Sequence, residues 1–502
     1  MQVLLLRPVP RNERFGLGPF FRIEPLGMEF VAAALEADGH TVTLADLRFS
    51  RTVEHYLTVC RPQVVGIACM HALETDDARA LVEQVRRLSP EATLVLGGHA
   101  AAAFPEAFFD TSVDVIVLDD GERAMPAAVA AIERRRALTD VPGLVVRTPE
   151  GFVRTADPGP SISLDVVPVP SRRHVEGWRR QYACLAHRPT FLIETARGCP
   201  FRCSFCSVWQ MYDRQFRERG IDAVCRDAAA VGDHVFIADD LFWHHGARSE
   251  ALATELIRRG LRKQWVLVQS RVDTVARQPA LLEAWRPFAR EFDVFFGLEA
   301  PTDDGLTRLS KDTTVEWMRE GIRVAREVGL GVTGNFVIDP AWGEHEFERL
   351  WAFVAQERLW QVGFTILTPL PGTSYFTQVQ PQLRAREWAQ FDMHHLLWEP
   401  KLGAERFFEL YCETWRRSVL NLRGQKRWWH WLREVEIRNA WFLVQALRRS
   451  QKMLDPGHYL AEHRLAPSPG FPRSGSGSAS PCQHDAREGA DLGSAPALPG
   501  RS

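Results

Sequence analysis

Two stretches of the chain alternate short apolar segments with amphipathic segments, and this alternation constrains the fold more than any other feature. Such alternation predicts parallel sheets covered by helices. The first stretch, residues 1 to about 140, carries candidate strands at 3–7, 41–46, 64–70, 93–98 and 113–119. The second, residues 190 to about 378, carries candidate strands at 191–197, 234–240, 265–271, 293–299, 331–339 and 363–370. We therefore predict an α/β protein in which a doubly wound, Rossmann-like sheet precedes a partial (β/α)6 barrel.

The other parts of the chain differ in composition from these two stretches. Residues 141–189 are rich in proline, which predicts a linker with one small hairpin. Residues 379–463 have mainly helical patterns and many Trp and Arg residues, so we expect a helical C-terminal region. The tail, residues 464–502, is dominated by Pro, Gly, Ser and Ala, and we expect it to be disordered.

The charge balance argues against a nucleic-acid partner, because 61 Lys and Arg oppose 63 Asp and Glu for a net charge of -2. The apolar run before Arg7 is too short for a signal peptide, and no segment has the length of a membrane span. Nine cysteines in a chain of 502 residues do not suggest a disulfide framework. We therefore expect a cytoplasmic protein.

Three cysteines, Cys199, Cys203 and Cys206, stand in the segment ETARGCPFRCSFCSVW, directly after the first strand of the second stretch. The spacing C-x3-C-x2-C supplies three thiolates to a cubic iron–sulfur cluster, whose fourth iron can then bind a small molecule. A structural zinc site and three unrelated cysteines are the alternatives. Zinc is disfavoured because no second pair of Cys or His residues follows at a suitable spacing.

The cysteine motif resembles the signature C-x3-C-x-aromatic-C of the radical S-adenosylmethionine (radical SAM) enzymes, with Phe205 at the aromatic position. The resemblance implies a [4Fe-4S] cluster that cleaves S-adenosylmethionine (SAM) to a 5'-deoxyadenosyl radical. Polar residues at the ends of successive strands are the candidates for binding SAM, and they are Asp239, Asp240, Gln269, Gly297, Glu299 and Asn335. In the family pattern, Glu299 stands near the ribose hydroxyls, and the segment ADDLF stands where the amino group of methionine is contacted. No protein acid or base is required, and we find no obvious catalytic dyad in the barrel.

The first stretch resembles the cobalamin-binding domains that precede many radical SAM barrels, in the segments VVGIACM, LVLGGHAA and IVLDDGE. Glycines at strand ends let a bulky ligand approach the backbone closely. The residues implied for cobalamin are Cys69, Gly97, Gly98, Gly121 and Glu122, with His71 and His99 near the same face. A dinucleotide fingerprint is missing after the first strand, which disfavours a nicotinamide cofactor.

The common cobalamin motif D-x-H-x-x-G, which supplies a histidine to the cobalt, is absent from this chain. The comparable stretch near Asp46 reads ADLRFS. This departure implies either cobalamin bound without a histidine ligand from the protein or a domain that has lost cobalamin. Glycine pairs at strand ends also serve plain turns, so a scaffolding role is the alternative.

Across residues 1 to 463, segments such as RFGLGPFFRIEPLGMEFVAAAL, VFIADDLFWHH and FTILTPLPGT resemble the hopanoid C-3 methylases, which are cobalamin-type radical SAM enzymes. The resemblance implies transfer of a methyl group to C-3 of ring A of a hopanoid, an apolar triterpenoid, with an external electron donor. One alternative is another cobalamin-type radical SAM reaction, such as methylation or cyclisation in natural-product or tetrapyrrole biosynthesis. A non-enzymatic iron–sulfur redox or sensor protein is the other.

An apolar substrate implies entry close to a membrane, and the C-terminal region places aromatic residues beside basic ones. The aromatic residues are Trp428, Trp429, Trp431, Trp441 and Phe442. They suit a peripheral contact with the inner membrane surface. Aromatic residues at helical spacing more often pack in a core, and we favour packing here.

Overall fold

The computed structural model describes residues 1–10, 21–184, 187–359, 361–384, 387–417, 448 and 451–463. The aromatic residues predicted near a membrane and the tail from residue 464 lie outside the described residues. No described helix combines the length and the apolar character that crossing a membrane requires.

The strands of the described residues are, in chain order, β1 (Gln2–Arg7), β2 (Phe21–Arg22), β3 (Thr41–Asp46), β4 (Val64–Ala68), β5 (Thr93–Gly97), β6 (Val115–Val117), β7 (Leu144–Thr148), β8 (Gly151–Arg154), β9 (Ala183–Cys184), β10 (Phe191–Ile193), β11 (Ala196–Arg197), β12 (Arg217–Glu218), β13 (His234–Ile237), β14 (Lys263–Ser270), β15 (Ala289–Glu299), β16 (Gly331–Ile338) and β17 (Val362–Ile366). Every predicted strand has an observed counterpart.

The α-helices of the described residues are, in chain order, α1 (Leu26–Ala37), α2 (Val53–Cys60), α3 (Thr75–Leu88), α4 (His99–Ala103), α5 (Gly121–Glu133), α6 (Val208–Met211), α7 (Ile221–Ala230), α8 (Gly246–Arg258), α9 (Val272–Arg277), α10 (Pro279–Trp285), α11 (Asp303–Arg308), α12 (Val315–Glu327), α13 (Glu344–Gln356), α14 (Ser374–Val379), α15 (Ala404–Arg417) and α16 (Pro456–Glu462).

The first sheet has the strand order β3-β1-β4-β5-β6-β7-β8, and its first five strands are parallel. All five residues of β4 are buried, as expected for a central strand covered on both faces. The hairpin of β7 and β8 pairs antiparallel with β6, where Val146 lies opposite Val115. The hairpin that the sequence placed in the linker therefore extends the first sheet to Arg154.

The second sheet contains six parallel strands in the order β10-β13-β14-β15-β16-β17, which confirms the partial barrel. Helix α12 shows how the helices of this barrel form and pack. The hydroxyl of Thr314 accepts the N–H of Trp317 and caps the helix, while Met318, Ile322 and Ala325 are buried along one face.

A cluster of buried ions joins the linker to both sheets, and we call it the linker ion cluster. One nitrogen of the Arg172 guanidinium lies 2.9 Å from Glu24, just before α1, and another lies 2.7 Å from Asp227 in α7. Arg179 also contacts Glu24, and both carboxylates are buried. Because removing one partner of a buried ion pair leaves an uncompensated charge, this cluster fixes the linker to both halves of the chain.

Candidate active site

The three motif cysteines lie in residues 198–207, which we call the cluster loop. The predicted strand 191–197 ends at Ile193, because the N–H of Thr195 is donated to the carboxylate of Asp239 (2.6 Å) instead of to a neighbouring strand. The loop then begins at Gly198, whose φ is +97° and whose N–H is donated to Asp240 (2.8 Å). A Cβ at Gly198 would lie 2.1 Å from the carbonyl oxygen of Gln215, so only glycine fits this turn.

The three thiols occupy a setting that suits metal-bound thiolates. Cys203 is buried, whereas Cys199 and Cys206 are partly exposed. Burial raises the pKa of all three thiols, and that of Cys206 rises to about 12. Without a bound cation the thiols would therefore be protonated, whereas coordination to iron removes the protons. This donor set fits an iron–sulfur cluster.

Within the described ranges, no group of three Cys, His, Asp or Glu side chains is arranged to hold a single metal ion. A cubic cluster does not require such a group, because each thiolate binds a different iron. The backbone of the loop is held from within: the carbonyl of Cys203 accepts the N–H of Cys206 (3.1 Å) and the indole N–H of Trp209 (3.0 Å).

Phe205 anchors the cluster loop to the barrel. Its ring packs in a small apolar group with Leu309, Val337, Leu367 and Tyr375. Leu309 directly follows α11, and Val337 lies in β16. Leu367 directly follows β17, and Tyr375 lies in α14. The aromatic position of the motif therefore fixes the loop against the later strands of the barrel.

The residues predicted to bind SAM lie along four adjacent strands, as the sequence indicated. Asp239 and Asp240 follow β13, Gln269 is in β14, Gly297 and Glu299 are in β15, and Asn335 is in β16. In the register of the barrel, Asn335 lies opposite Gly297. The amide of Asn335 donates to the hydroxyl of Thr365 (2.8 Å).

Asp239 and Asp240 hold the backbone that leads into the cluster loop. Both oxygens of Asp239 accept hydrogen bonds from Thr195, one from its N–H (2.6 Å) and one from its hydroxyl (2.5 Å). Burial raises the pKa of Asp239 to about 7 and that of Asp240 to about 6. Asp239 and Asp240 thus accept hydrogen bonds from Thr195 and Gly198, in the segment that leads to Cys199.

Glu299 is held by a residue that sequence reasoning missed. Oε1 of Glu299 accepts a hydrogen bond from Nζ of Lys311 (2.7 Å), and both side chains are buried. The strand register shifts between Gly297 and Glu299, and Glu299 adopts a φ of +61°. This irregularity in β15 and the ammonium of Lys311 together set the direction of the carboxylate.

A cavity of about 240 Å³ adjoins the group around Phe205 and shares with it Leu309, Val337 and Leu367. The rest of its wall is mixed: Ala300, Pro301 and Trp342 are apolar, whereas the charged and polar members include Asp304, Arg308, Asp339, His345, Glu346 and Arg349. The cavity lies beyond the carboxyl ends of β15 and β16. None of the residues predicted to bind SAM lines it.

The residues predicted to bind cobalamin lie at the carboxyl ends of β4, β5 and β6, which are neighbours in the first sheet. Cys69 is buried, and its N–H is donated to the carbonyl of Gly97 (2.7 Å). Gly98 has a φ of +106°, and a Cβ there would lie 2.6 Å from the carbonyl oxygen of Cys69. Only glycine therefore fits between the ends of β4 and β5 at this position.

Gly121 and Glu122 begin α5 at the same edge, but the carboxylate of Glu122 is already paired. Arg197, the residue before the cluster loop, contacts Glu122 (2.8 Å), Asp120 (2.9 Å) and Glu194 (2.9 Å). Arg197 is therefore an ionic link between the first sheet and the start of the cluster loop.

Arg48 stands where the motif D-x-H-x-x-G would place its histidine relative to Asp46. Its guanidinium donates to both oxygens of Asp46 (2.9 and 2.7 Å) and lies 4.9 Å from the ring centroid of Phe49. An arginine in an ion pair is no ligand for cobalt. The first sheet therefore fits cobalamin held without a histidine at this position.

Comparison with known families agrees with this geometry. Residues 20–129 match the B12 binding domain, and residues 193–354 match the radical SAM superfamily. These two regions define the class of the protein as a radical SAM enzyme preceded by a B12-binding domain.

Individual relatives indicate which family within this class the chain belongs to. The chain is 30% identical over 460 residues to the hopanoid C-3 methylase of Methylococcus capsulatus, covering 89% of this chain and 86% of the relative. It is 24% identical over 416 residues to the anaerobic magnesium-protoporphyrin IX monomethyl ester cyclase of Rubrivivax gelatinosus, covering 79% and 74%. The chain belongs to the family of cobalamin-dependent radical SAM methyltransferases that includes this hopanoid C-3 methylase. Its cofactors are a [4Fe-4S] cluster, SAM and cobalamin, as the sequence predicted.

Two solved structures share the fold. The radical SAM methyltransferase TsrM from Kitasatospora setae, with cobalamin and a [4Fe-4S] cluster bound, has a TM-score of 0.62 at 21% identity and covers 76% of this chain and 78% of its own. The cobalamin-dependent SAM radical enzyme OxsB with aqua-cobalamin bound has a TM-score of 0.67 at 14% identity and covers 92% and 75%. The predicted order of a cobalamin-binding fold followed by a radical SAM barrel is confirmed.

Proposed function

We propose that this enzyme methylates C-3 of ring A of hopanoids. The observation that carries the proposal is the 30% identity to a hopanoid C-3 methylase along 89% of this chain. A hopanoid ring carbon is unactivated, so no protein acid or base could prepare it for a polar methyl transfer. An enzyme that holds both cobalamin and a radical SAM centre suits such a carbon.

We assign the cluster to Cys199, Cys203 and Cys206, with Phe205 as the anchor of their loop. When bound, the cluster supplies the electron that cleaves SAM to a radical, and cobalamin supplies the methyl group. The protein's own task is to hold these groups and to keep the reacting carbon away from water. The burial of Cys203 supports this role.

We assign SAM to the ends of β13 to β16, where the predicted residues lie. The carboxylate of Glu299, oriented by Lys311, is suited to accept hydrogen bonds from ribose hydroxyls. Gln269 and Asn335 lie on the two strands that flank the strand of Glu299.

We assign cobalamin to the edge formed by Cys69, Gly97, Gly98, Gly121 and Glu122. These residues lie at or just after the ends of neighbouring strands along one sheet edge, and the ion pair of Arg48 with Asp46 supports binding without the motif histidine. We keep the domain limits that the sequence predicts, which are a cobalamin-binding domain (1–140), a linker (141–189), a barrel (190–378), a helical region (379–463) and a tail (464–502), and we add the linker hairpin up to Arg154 to the sheet of the first domain. An external electron donor completes the proposal.

Product mass tests the assignment. Anaerobic enzyme containing cluster and cobalamin is incubated with SAM, a reductant and a hopanoid that lacks the 3-methyl group. We expect a hopanoid that is heavier by one methylene unit, and we expect none from the Cys203→Ala variant. Deletion of the gene in its host should remove 3-methylhopanoids. Formation of 5'-deoxyadenosine without any methylated hopanoid, and with methylation of a tetrapyrrole instead, would contradict the assignment.

A further inference from the structure

His99 lies at the start of α4, directly after the glycine pair at the end of β5. The backbone before it is fixed tightly: Gly98 presses on the carbonyl of Cys69, and the same carbonyl accepts the N–H of Ala100 (3.2 Å). The direction of the His99 side chain is therefore set by the edge of the sheet to which we assign cobalamin.

The imidazole of His99 reaches the barrel. Its Nε2 lies 2.6 Å from the hydroxyl oxygen of Ser207, and its Nδ1 lies 2.6 Å from the sulfur of Met211. Ser207 is buried and follows Cys206 directly, so His99 contacts the last residue of the cluster loop. Burial lowers the pKa of His99 to about 4, which leaves a neutral ring with one N–H and one acceptor nitrogen.

The cluster loop is thus joined to the first sheet at both ends. Before Cys199, the guanidinium of Arg197 is paired with Asp120 and Glu122. After Cys206, the link is the hydrogen bond between His99 and Ser207. The ion pairs contact the turn after β6, whereas the His99 contact comes from the turn after β5. Two separate points therefore fix the loop relative to the cobalamin edge.

We propose that His99 is a positioning residue that holds the cobalamin edge in register with the cluster loop through Ser207. The inference rests on the proposed function, because a radical formed at one site is useful only when the methyl donor is held at a fixed distance from it. A small misplacement of a reacting group costs much of the rate. Loss of the link should leave radical formation intact and impair methyl transfer.

Four variants of the holoenzyme test this role. His99→Leu keeps the bulk of the side chain but loses both ring nitrogens, and Ser207→Ala removes the partner. His99→Gln keeps an amide group that can reach Ser207. The control is His55→Leu, which makes the same substitution in helix α2 of the same domain.

We measure 5'-deoxyadenosine formed per methylated product, together with the EPR relaxation that the reduced cluster induces in cob(II)alamin. We expect His99→Leu and Ser207→Ala each to raise the ratio about tenfold, since that is the size of one lost hydrogen bond. The same variants should weaken the relaxation effect, which a merely structural role would not change. His99→Gln should restore both readouts, His55→Leu should match wild type, and the double variant should be no worse than either single variant.

Unchanged ratios and relaxation in both His99→Leu and Ser207→Ala would overturn the inference. So would loss of a nitrogen splitting from the cob(II)alamin EPR signal on replacement of His99, because that would make His99 a cobalt ligand. A wild-type enzyme that forms 5'-deoxyadenosine but methylates no hopanoid would instead count against the proposed function, while the relaxation readout would still test the role of His99.

Discussion

The ammonium of Lys311 lies 2.7 Å from Oε1 of Glu299, and a Cβ added at Gly297 would lie 2.7 Å from that ammonium and 2.4 Å from that carboxylate oxygen. The ion pair therefore covers Gly297 closely, at the point where the register of β15 shifts. The charge of Lys311 offsets the cost of burying Glu299, and the shape of the strand fixes where the pair lies. The pair is complete before any ligand arrives, so the site that we propose for SAM is preorganised at this position.

Replacing Lys311 with Met should weaken SAM binding by about tenfold or more, because Glu299 would lose the hydrogen bond that orients its carboxylate. It should also destabilise the fold by roughly 3–5 kcal/mol, the usual cost of leaving one partner of a buried pair alone. Equilibrium binding of SAM and thermal unfolding measure the two effects. The exposed Lys401 provides the control Lys401→Met, which should change neither. Unaltered SAM affinity in Lys311→Met would refute the assignment of Glu299.

The Cys203→Ala variant should fold but lose both the cluster and all methyltransferase activity. Two thiolates alone hold such a cluster poorly, and Cys203 is the buried member of the three. Iron content and the visible absorption of the reconstituted protein measure the loss. Cys60→Ala, a partly exposed cysteine on α2, should retain full iron content. A Cys203→Ala enzyme with normal activity would be incompatible with the cluster assignment.

Gly98→Ala should abolish or strongly weaken cobalamin binding while leaving the cluster intact. The new methyl group would lie 2.6 Å from the carbonyl oxygen of Cys69, so the backbone of the cobalamin edge must shift. Gly151→Ala is the matched control, because Gly151 also has a positive φ, +129°, but faces open space. Both variants carry similar backbone strain, of the order of 1 kcal/mol. Equal cobalamin affinity in the two variants would argue against the assigned edge.

Asp239 should make the protein less stable as the pH rises from about 4 to 7. Burial raises its pKa from the ordinary 3.8 to about 7, so the folded protein holds a proton here that the unfolded chain has already released. Stability then falls with pH by at most about 1.4 kcal/mol per pH unit within this window. Asp239→Asn should remove this decline, whereas Asp38→Asn at an exposed position should keep it. The melting temperature against pH provides the measurement, and parallel curves for wild type and Asp239→Asn would disprove the shift.

Strand positions were largely predictable because buried strands produce continuous apolar runs. The predicted strand at 41–46 matches β3 residue for residue. The start of β15 was missed by four residues, since its opening AREF mixes charged residues with apolar ones and shows no buried run. Pairing of β7 with β6 was not predictable either, because it joins segments that are far apart along the chain.

The cysteines proposed for the cluster could be picked out because their spacing is local, and the strand-end residues proposed for SAM came from the rule that barrel sites gather at carboxyl ends. The partners of these residues were not. Lys311 is 12 residues from Glu299, Arg197 is 77 residues from Asp120, and His99 is 108 residues from Ser207. Nothing in a single sequence indicates such pairs, since each depends on how two elements pack.

Arg172 in the linker binds one carboxylate before α1 of the first domain and another in α7 of the barrel, and this makes the protein a poor candidate for dissection into modules. A barrel expressed without the N-terminal segment would keep Arg172 and Asp227 but would lack Glu24. Loss of one partner of a buried ion pair lowers the free energy of unfolding by about 3–5 kcal/mol. Anyone wishing to graft a different corrinoid module onto this catalytic half should first replace these ions with apolar residues of matching volume.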